Sequence, residues 1–220
     1  MTDHTLPPTA SVTETTPDGR LIMPAALRNI TAISDLVAQV IEGETTTQAL
    51  EIASGTGQHI LHHAKRHPQI TWQPTDVDAE RIASINAYAA EAPDGNVLKA
   101  QHLDATQPDW SETVPPQGLI LLVNLLHLIS TDEAQTLIRE VGKALKTGGT
   151  FVLYGPFMRG GELTSDGDRK FHAELTAADP AIGYKDDFDI TDMIHTSGMS
   201  LISLVEMPAN NLAFIARRDF

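Results

Sequence analysis

The chain has no cysteine. Disulfides and thiolate chemistry are excluded, and the composition fits a reducing compartment. Positive charge is scarce: 15 Lys and Arg stand against 29 Asp and Glu, giving a net charge of −14 and a pI near 4.9. Such a chain repels phosphate backbones, and its basic residues form no local cluster, so nucleic acid is a poor partner. Long apolar runs are also missing. The longest, Leu119 to Leu128, is interrupted by Asn124 and His127 and is too short to span a bilayer. Residues 1–18 are rich in Thr, Pro and Asp and lack the basic-then-apolar order of a signal peptide, which predicts a disordered tail. The expectation is a soluble, cytoplasmic protein with a small-molecule partner and no membrane. Its 220 residues, 41% hydrophobic and 20% charged, suit one domain over 19–220 without repeats or linkers. Whether it is a monomer or a homodimer is left open.

What is present centres on residues 49–59, A-L-E-I-A-S-G-T-G-Q-H. A short apolar run breaks into a turn carrying Gly55 and Gly57, and a helix-compatible segment follows. Strand, glycine turn and helix bring backbone N–H groups close to a nucleotide-like ligand. An acid sits in the strand at Glu51 and another ends the next apolar run at Asp76, which points to a nucleoside bound across the edge of a parallel sheet.

Along the chain, apolar residues at helical spacing predict a helix over 24–41, begun by Pro24 and ended by Gly43. Strands are expected at 48–53, 70–75, 97–102, 118–123 and 150–154. Helices are expected to about His67, over 79–90 behind the N-cap Asp78, and from the Ser130–Glu133 capping box to Leu145. Pro93, Asp94 and Gly95 read as a turn, and Gly148 and Gly149 as a helix stop. Residues 155–188 read as an irregular, substrate-covering insertion with a short helix over 171–177. Asp189 is expected to cap a helix over 190–196. Strands 200–206 and 212–217, joined by Met207-Pro-Ala-Asn-Asn211, read as a hairpin. The alternation implies a doubly wound α/β fold whose sheet is mixed because of that hairpin.

Several residues carry chemistry. Gly55 and Gly57 permit backbone approach that a Cβ would block, although Ala53 stands where a G-x-G-x-G pattern begins. Asp76 either accepts ribose hydroxyls or shares a helix cap with Asp78. Asp104 either reads an adenine amino group or is an exposed turn acid. Asn124 ends the central strand at the ligand crevice. His127 either takes a proton from a substrate nucleophile or is a packed histidine. His59, His62, His63 and His67 lack the carboxylate of a metalloprotease motif and read as a solvated helix face, with no metal. Asn210 and Asn211 either meet substrate or are ordinary turn residues.

Assembled, these motifs resemble a class I S-adenosylmethionine (AdoMet)-dependent methyltransferase, and more closely the methyltransferase-like protein 26 family. The resemblance runs from about Arg28 to Arg217. It rests on Arg28-Asn29, E-I-A-S-G-T-G-Q-H at 51–59, W-Q-P-T-D at 72–76, N-L-L-H at 124–127, Y-G-P-F at 154–157, D-P-A-I-G at 179–183 and M-P-A-N-N at 207–211. It implies that Ala53 belongs to the pattern and that a Rossmann-like, seven-stranded sheet runs in the order 3-2-1-4-5-7-6. AdoMet would be held by Glu51, Ala53, Ser54, Gly55, Gly57 and Asn124, with Asp76, Val77, Asp104 and Ala105 around the nucleoside. Asn124, His127 and Tyr154 would lie near the transferred methyl group. Substrate would meet Arg28, Asn29, Tyr154, Phe157, Asn210 and Asn211. An acid or aromatic residue near 161–171 is also implied, without assignment to one position. The alternatives are a non-catalytic AdoMet-binding protein and, less favoured by the terminal hairpin and Asp104, an NAD-dependent oxidoreductase.

Overall fold

The computed structural model of the protein describes residues 4–92 and 94–219. Pro93, at the head of the expected 93–95 turn, lies outside them, as do residues 1–3 of the expected tail. Two short strands, β1 (Glu14–Thr15) and β2 (Leu21–Ile22), pair with each other and lead into α1 (Pro24–Ile41). The main sheet is built from β3 (Gln48–Ile52), β4 (Thr71–Asp76), β5 (Gln101–His102), β6 (Gln117–Val123), β7 (Leu145–Pro156), β8 (Met199–Met207) and β9 (Asn211–Arg218). Its order is β5-β4-β3-β6-β7-β9-β8, with β9 antiparallel to both of its neighbours. Counting only these seven strands, that is 3-2-1-4-5-7-6, as the resemblance implies. The remaining helices are α2 (Gln58–Arg66), α3 (Ala79–Ala89), α4 (Thr131–Ala144), α5 (Asp166–Ala178) and α6 (Asp187–Thr196).

Strand alternation divides the core into two layers. Leu50, Ile52, Ile120 and Leu122 point to the face covered by α4 and α6, where Leu137, Ile138, Val141, Ile190 and Ile194 pack. Ala49, Leu119, Leu121 and Val152 point to the face covered by α1, α2 and α3 through Ile33, Val37, Ile60 and Ile85. Burial on both faces explains why β6 reads as an unbroken apolar run. Glu51 and Tyr154 share the phase of this second face. That places an acid and a phenol beneath α1. Among the described residues, no helix is long and apolar enough to cross a membrane.

Several expectations are corrected. The 97–102 run pairs only at its ends: Leu98 N donates to Trp72 O at 2.9 Å, Ala100 N turns away to Asn86 Oδ1 at 2.9 Å, and the ladder resumes at Gln101. Gly148 and Gly149 do not stop α4, which ends at Ala144. They form a register shift inside β7, where Gly148 has φ +75 and a Cβ on Gly149 would lie 2.9 Å from Gln117 O. The helix expected over 171–177 starts earlier, because Ser165 accepts from Asp168 N and caps α5. Asp186, not Asp189, caps α6. The histidine face of α2 is buried rather than solvated: His59, His63 and His67 turn inward, and His63 stacks on Trp72 at 5.2 Å. Residues 4–18, expected to be disordered, carry defined contacts described below.

Candidate functional site

The carboxyl ends of β3 and β6 open into a cavity of about 320 Å³. One end is lined by Glu51, Ala53, Ser54, Gly55, Thr56 and Asn124. The other is lined by His127, Leu128, Pro156, Asp168, Phe171, Tyr184, Ala209 and Asn211. Met23 and Arg28, at the start of α1, add to the lining with Thr9, Ala10, Ser11, His59 and Arg81.

The loop after β3 is strung in left-handed backbone at Ala53 (φ 52), Gly55 (φ 61) and Gly57 (φ 94). Ser54 stitches it to β4, donating from N to Thr75 O at 2.8 Å and accepting from Thr75 N at 3.2 Å. A Cβ on Gly57 would lie 2.8 Å from Ile85 Cα, so this glycine lets α2 lie against α3. Gly55 faces open space, as a ligand-approach position requires.

Asp76 does not line the cavity. Its carboxylate accepts from Gly55 N at 2.9 Å, Val77 N at 2.8 Å and Asp78 N at 3.0 Å, which fixes the glycine loop from beneath. Burial pushes its pKa up against those amide bonds. A carboxylate offers about four acceptor sites, so roughly one is left for a hydroxyl. Asp104 accepts from Thr106 N at 3.1 Å and Thr106 Oγ1 at 2.6 Å and closes its own turn, while Ala105 packs in the core.

Glu51 is 2% exposed and reaches the cavity, and its Oε2 has no hydrogen-bond partner among the described residues. Burial, with a contribution from Asp76, lifts its pKa to about 8 despite the Ser54 hydroxyl. It is therefore a largely neutral acid at pH 7, waiting for a cation or a donor.

At the other end, His127 is walled by Phe171 (ring centroids 5.6 Å apart) and Tyr184 (6.2 Å). Burial, helped by the charge of Lys185, drives its pKa down to about 3. Lys185 is itself buried, donating to Gly183 O at 3.0 Å and to Ile129 O, and burial lowers its pKa to about 8. Asn124 ends β6 in left-handed backbone (φ 56), its N–H held by Tyr154 O at 2.9 Å.

Of the other expected site residues, all but Asn211 stand back from the cavity. Tyr154 is buried and bonded to Asn29, and Asn29 Oδ1 lies 2.9 Å from His59 Nε2. These three form a network beneath α1. Phe157 is a core residue set edge-on to Phe214 at 4.9 Å. Asn210 acts at one remove, donating to Thr164 Oγ1 at 2.7 Å and to Asp168. Asn211 lines the cavity and ties its amide to Pro208 O at 2.9 Å. Sequence reasoning did not single out Asp168, Tyr184 or Met23. The S-x-x-D spacing at 165–168, an N-cap signature, was the available signal for the first.

A mixed seven-stranded sheet in this order, with helices on both faces and a glycine turn after its first strand, is the class I methyltransferase fold. The chain belongs to the family described as "Protein of unknown function (DUF938)", whose model matches residues 20–218. Among solved structures, it is similar to an O-methyltransferase family protein from Burkholderia thailandensis (TM-score 0.73, 16% identity, covering 89% of this chain and 57% of that one). It is similar to a putative O-methyltransferase from Nostoc punctiforme (TM-score 0.72, 18% identity, 88% and 60%). A third is human N-acetylserotonin methyltransferase in complex with SAM (TM-score 0.69, 12% identity, 88% and 56%). The chain thus spans between 56% and 60% of the length of these three proteins.

Proposed function

We propose that the protein is an AdoMet-dependent methyltransferase acting on a small-molecule acceptor. The observation that carries this reading is the buried Glu51 carboxyl, with an unpartnered oxygen in the cavity beside an open glycine turn. A nearly neutral acid in that position gains a partner when it gives up its proton to meet an ammonium group, such as that of an amino acid moiety. The fold's likeness to the SAM complex of N-acetylserotonin methyltransferase supports the same cofactor. The motif resemblance to the methyltransferase-like protein 26 family supports it independently of fold.

When bound, AdoMet supplies a methyl group on a sulfonium whose displacement leaves a neutral thioether. Glu51, Ala53, Ser54, Gly55 and Asn124 would hold its amino acid end. Asp76 would offer its remaining acceptor to ribose, with Val77, Asp104 and Ala105 near the base. Gly57 acts indirectly, by fixing the α2–α3 contact. The work of the protein is alignment and exclusion of water, and good positioning supplies on the order of 7–11 kcal/mol. His127, held neutral by burial, is too weakly basic to serve as an efficient proton acceptor at pH 7. It orients an acceptor group by hydrogen bonding. Arg28, at the cavity wall, is placed to meet a substrate acid.

Calorimetric titration with AdoMet, S-adenosylhomocysteine (AdoHcy) and NAD tests the cofactor, and methyl transfer from labelled AdoMet into a metabolite extract tests the activity. We expect binding of the first two and labelled product. Binding of NAD alone would overturn the reading. AdoMet binding without any labelled product would favour the non-catalytic alternative.

A further inference from the structure

The far end of the cavity contains a buried carboxyl group that forms no ion pair with any cation among the described residues. Asp168, in the first turn of α5, is 6% exposed and lines the cavity. Its three hydrogen bonds all come from neutral donors: the Tyr184 hydroxyl at 3.1 Å, the Ser165 hydroxyl at 2.6 Å and the Asn210 amide. Of the cations around it, Arg159 pairs with Glu206 at 2.6 Å, Arg169 pairs with Asp166 at 2.5 Å, and Lys185 donates to the Ile129 and Gly183 carbonyls, while Arg28, also in the cavity wall, forms no ion pair with Asp168. Among the described residues none forms an ion pair with Asp168. Three donors aimed at one carboxyl suit its ionised form, and a buried carboxylate without a cation is costly. Facing it, His127, Phe171 and Tyr184 make a triangle of edge-to-face rings with centroids 5.6–6.2 Å apart. Aromatic faces attract cations by their quadrupoles.

We propose that this compartment binds a small substrate through a protonated nitrogen seated on Asp168 and walled by the aromatic triangle. The inference rests on the methyltransferase reading only for what happens next. A nitrogen held as an ammonium has no free lone pair, so here it is an anchor. The methyl group would pass to a different atom of the same molecule, on the side of Asn124 and His127, as its bond to the sulfonium sulfur breaks, leaving AdoHcy, and any proton on that atom would leave to water. The substrate class is therefore a small amine with a separate nucleophilic atom.

The test uses the full chain and calorimetry. AdoHcy is titrated first. Two matched sets are then titrated with and without AdoHcy: tyramine, 4-ethylphenol and 4-hydroxyphenylacetate, then hexylamine, hexanol and hexanoate. In at least one set the amine should bind about ten-fold more tightly than its neutral and acidic counterparts, and Asp168→Asn should remove that preference. Tyr184→Phe keeps the carboxylate, so the amine preference should survive at lower affinity. Equal or tighter binding of the neutral or acidic compounds would overturn the proposal. So would failure of every amine, persistence of the preference in Asp168→Asn, or equal loss in both variants. Failure of AdoHcy alone to bind would sink the methyltransferase reading but not this one, because the amine preference is also read without it.

Discussion

Glu51 and His63 illustrate opposite costs of burying an ionisable side chain. For Glu51, the folded pKa of about 8 lies above its ordinary 4.5, so the unfolded chain releases its proton first. The stability this group contributes at low pH is lost progressively between about 4.5 and 8. Glu51→Gln should therefore raise the melting temperature of the ligand-free protein by roughly 3 °C or more at pH 8, with a smaller effect at pH 5. The same variant should weaken AdoHcy binding about ten-fold, because an amide cannot become an anion for the ammonium. His63 is fully buried, stacked on Trp72, and neither ring nitrogen has a hydrogen-bond partner among the described residues. Burial holds its pKa well below 6.5, and burial lowers that of its neighbour His59 to about 4. Here the unfolded state binds the extra protons, so stability is full above pH 6.5 and falls as the pH drops toward 4. Urea denaturation at pH 7 and pH 5 should show His63→Leu losing less stability than the wild type on acidification, by about 2 kcal/mol.

The two glycines of the β3–α2 loop separate packing from ligand approach. Gly57→Ala brings a Cβ against Ile85 Cα and forces φ +94 on an alanine, so α2 and α3 must move apart. A loss of about 3 kcal/mol of stability is expected from denaturant unfolding. Gly55→Ala meets nothing within 4 Å and carries only the left-handed penalty, about 1 kcal/mol. Its loss of AdoHcy affinity should exceed its loss of stability. The N-terminal segment forms an element of a different kind. His4 donates to Glu133 at 2.5 Å and Asp179 at 2.7 Å, Thr9 to Glu174 at 2.9 Å, and Arg81 reaches Ser11 at 2.6 Å. Burial opposes protonation of His4, but its hydrogen bonds to Asp179 and Glu133 prevail and raise its pKa. The strap is thus held more firmly below pH 6.5 and loosens as the pH rises through that raised value. Deleting residues 1–12 should speed AdoHcy dissociation roughly five-fold in stopped-flow measurements, since Thr9, Ala10 and Ser11 line the cavity.

At the scale of the whole molecule, the fold was readable because its signals are local and repeated. The apolar run of β6, the Ser130–Glu133 capping box and the Asp78 cap each fix one element through its own residues. The strand–turn–helix at 48–66 located the edge where the cavity opens for the same reason. What was misread depended on partners distant in sequence. His63 looks solvated until Trp72 is brought beneath it. Likewise no local pattern announces that Phe157 packs edge-on to Phe214 of β9 or that Asp76 accepts from the Gly55 N–H. The sequence by itself determined the order of elements and a mixed α/β sheet, because periodicity and caps are properties of neighbouring residues, while the strand order was implied by the motif resemblance. Only the tertiary structure decided which acids are satisfied and which are left waiting. Glu51 and Asp168 lie 117 positions apart, from Glu51 at 51 to Asp168 at 168. Burial, which makes their charges costly, is set by packing from elements scattered over the whole chain.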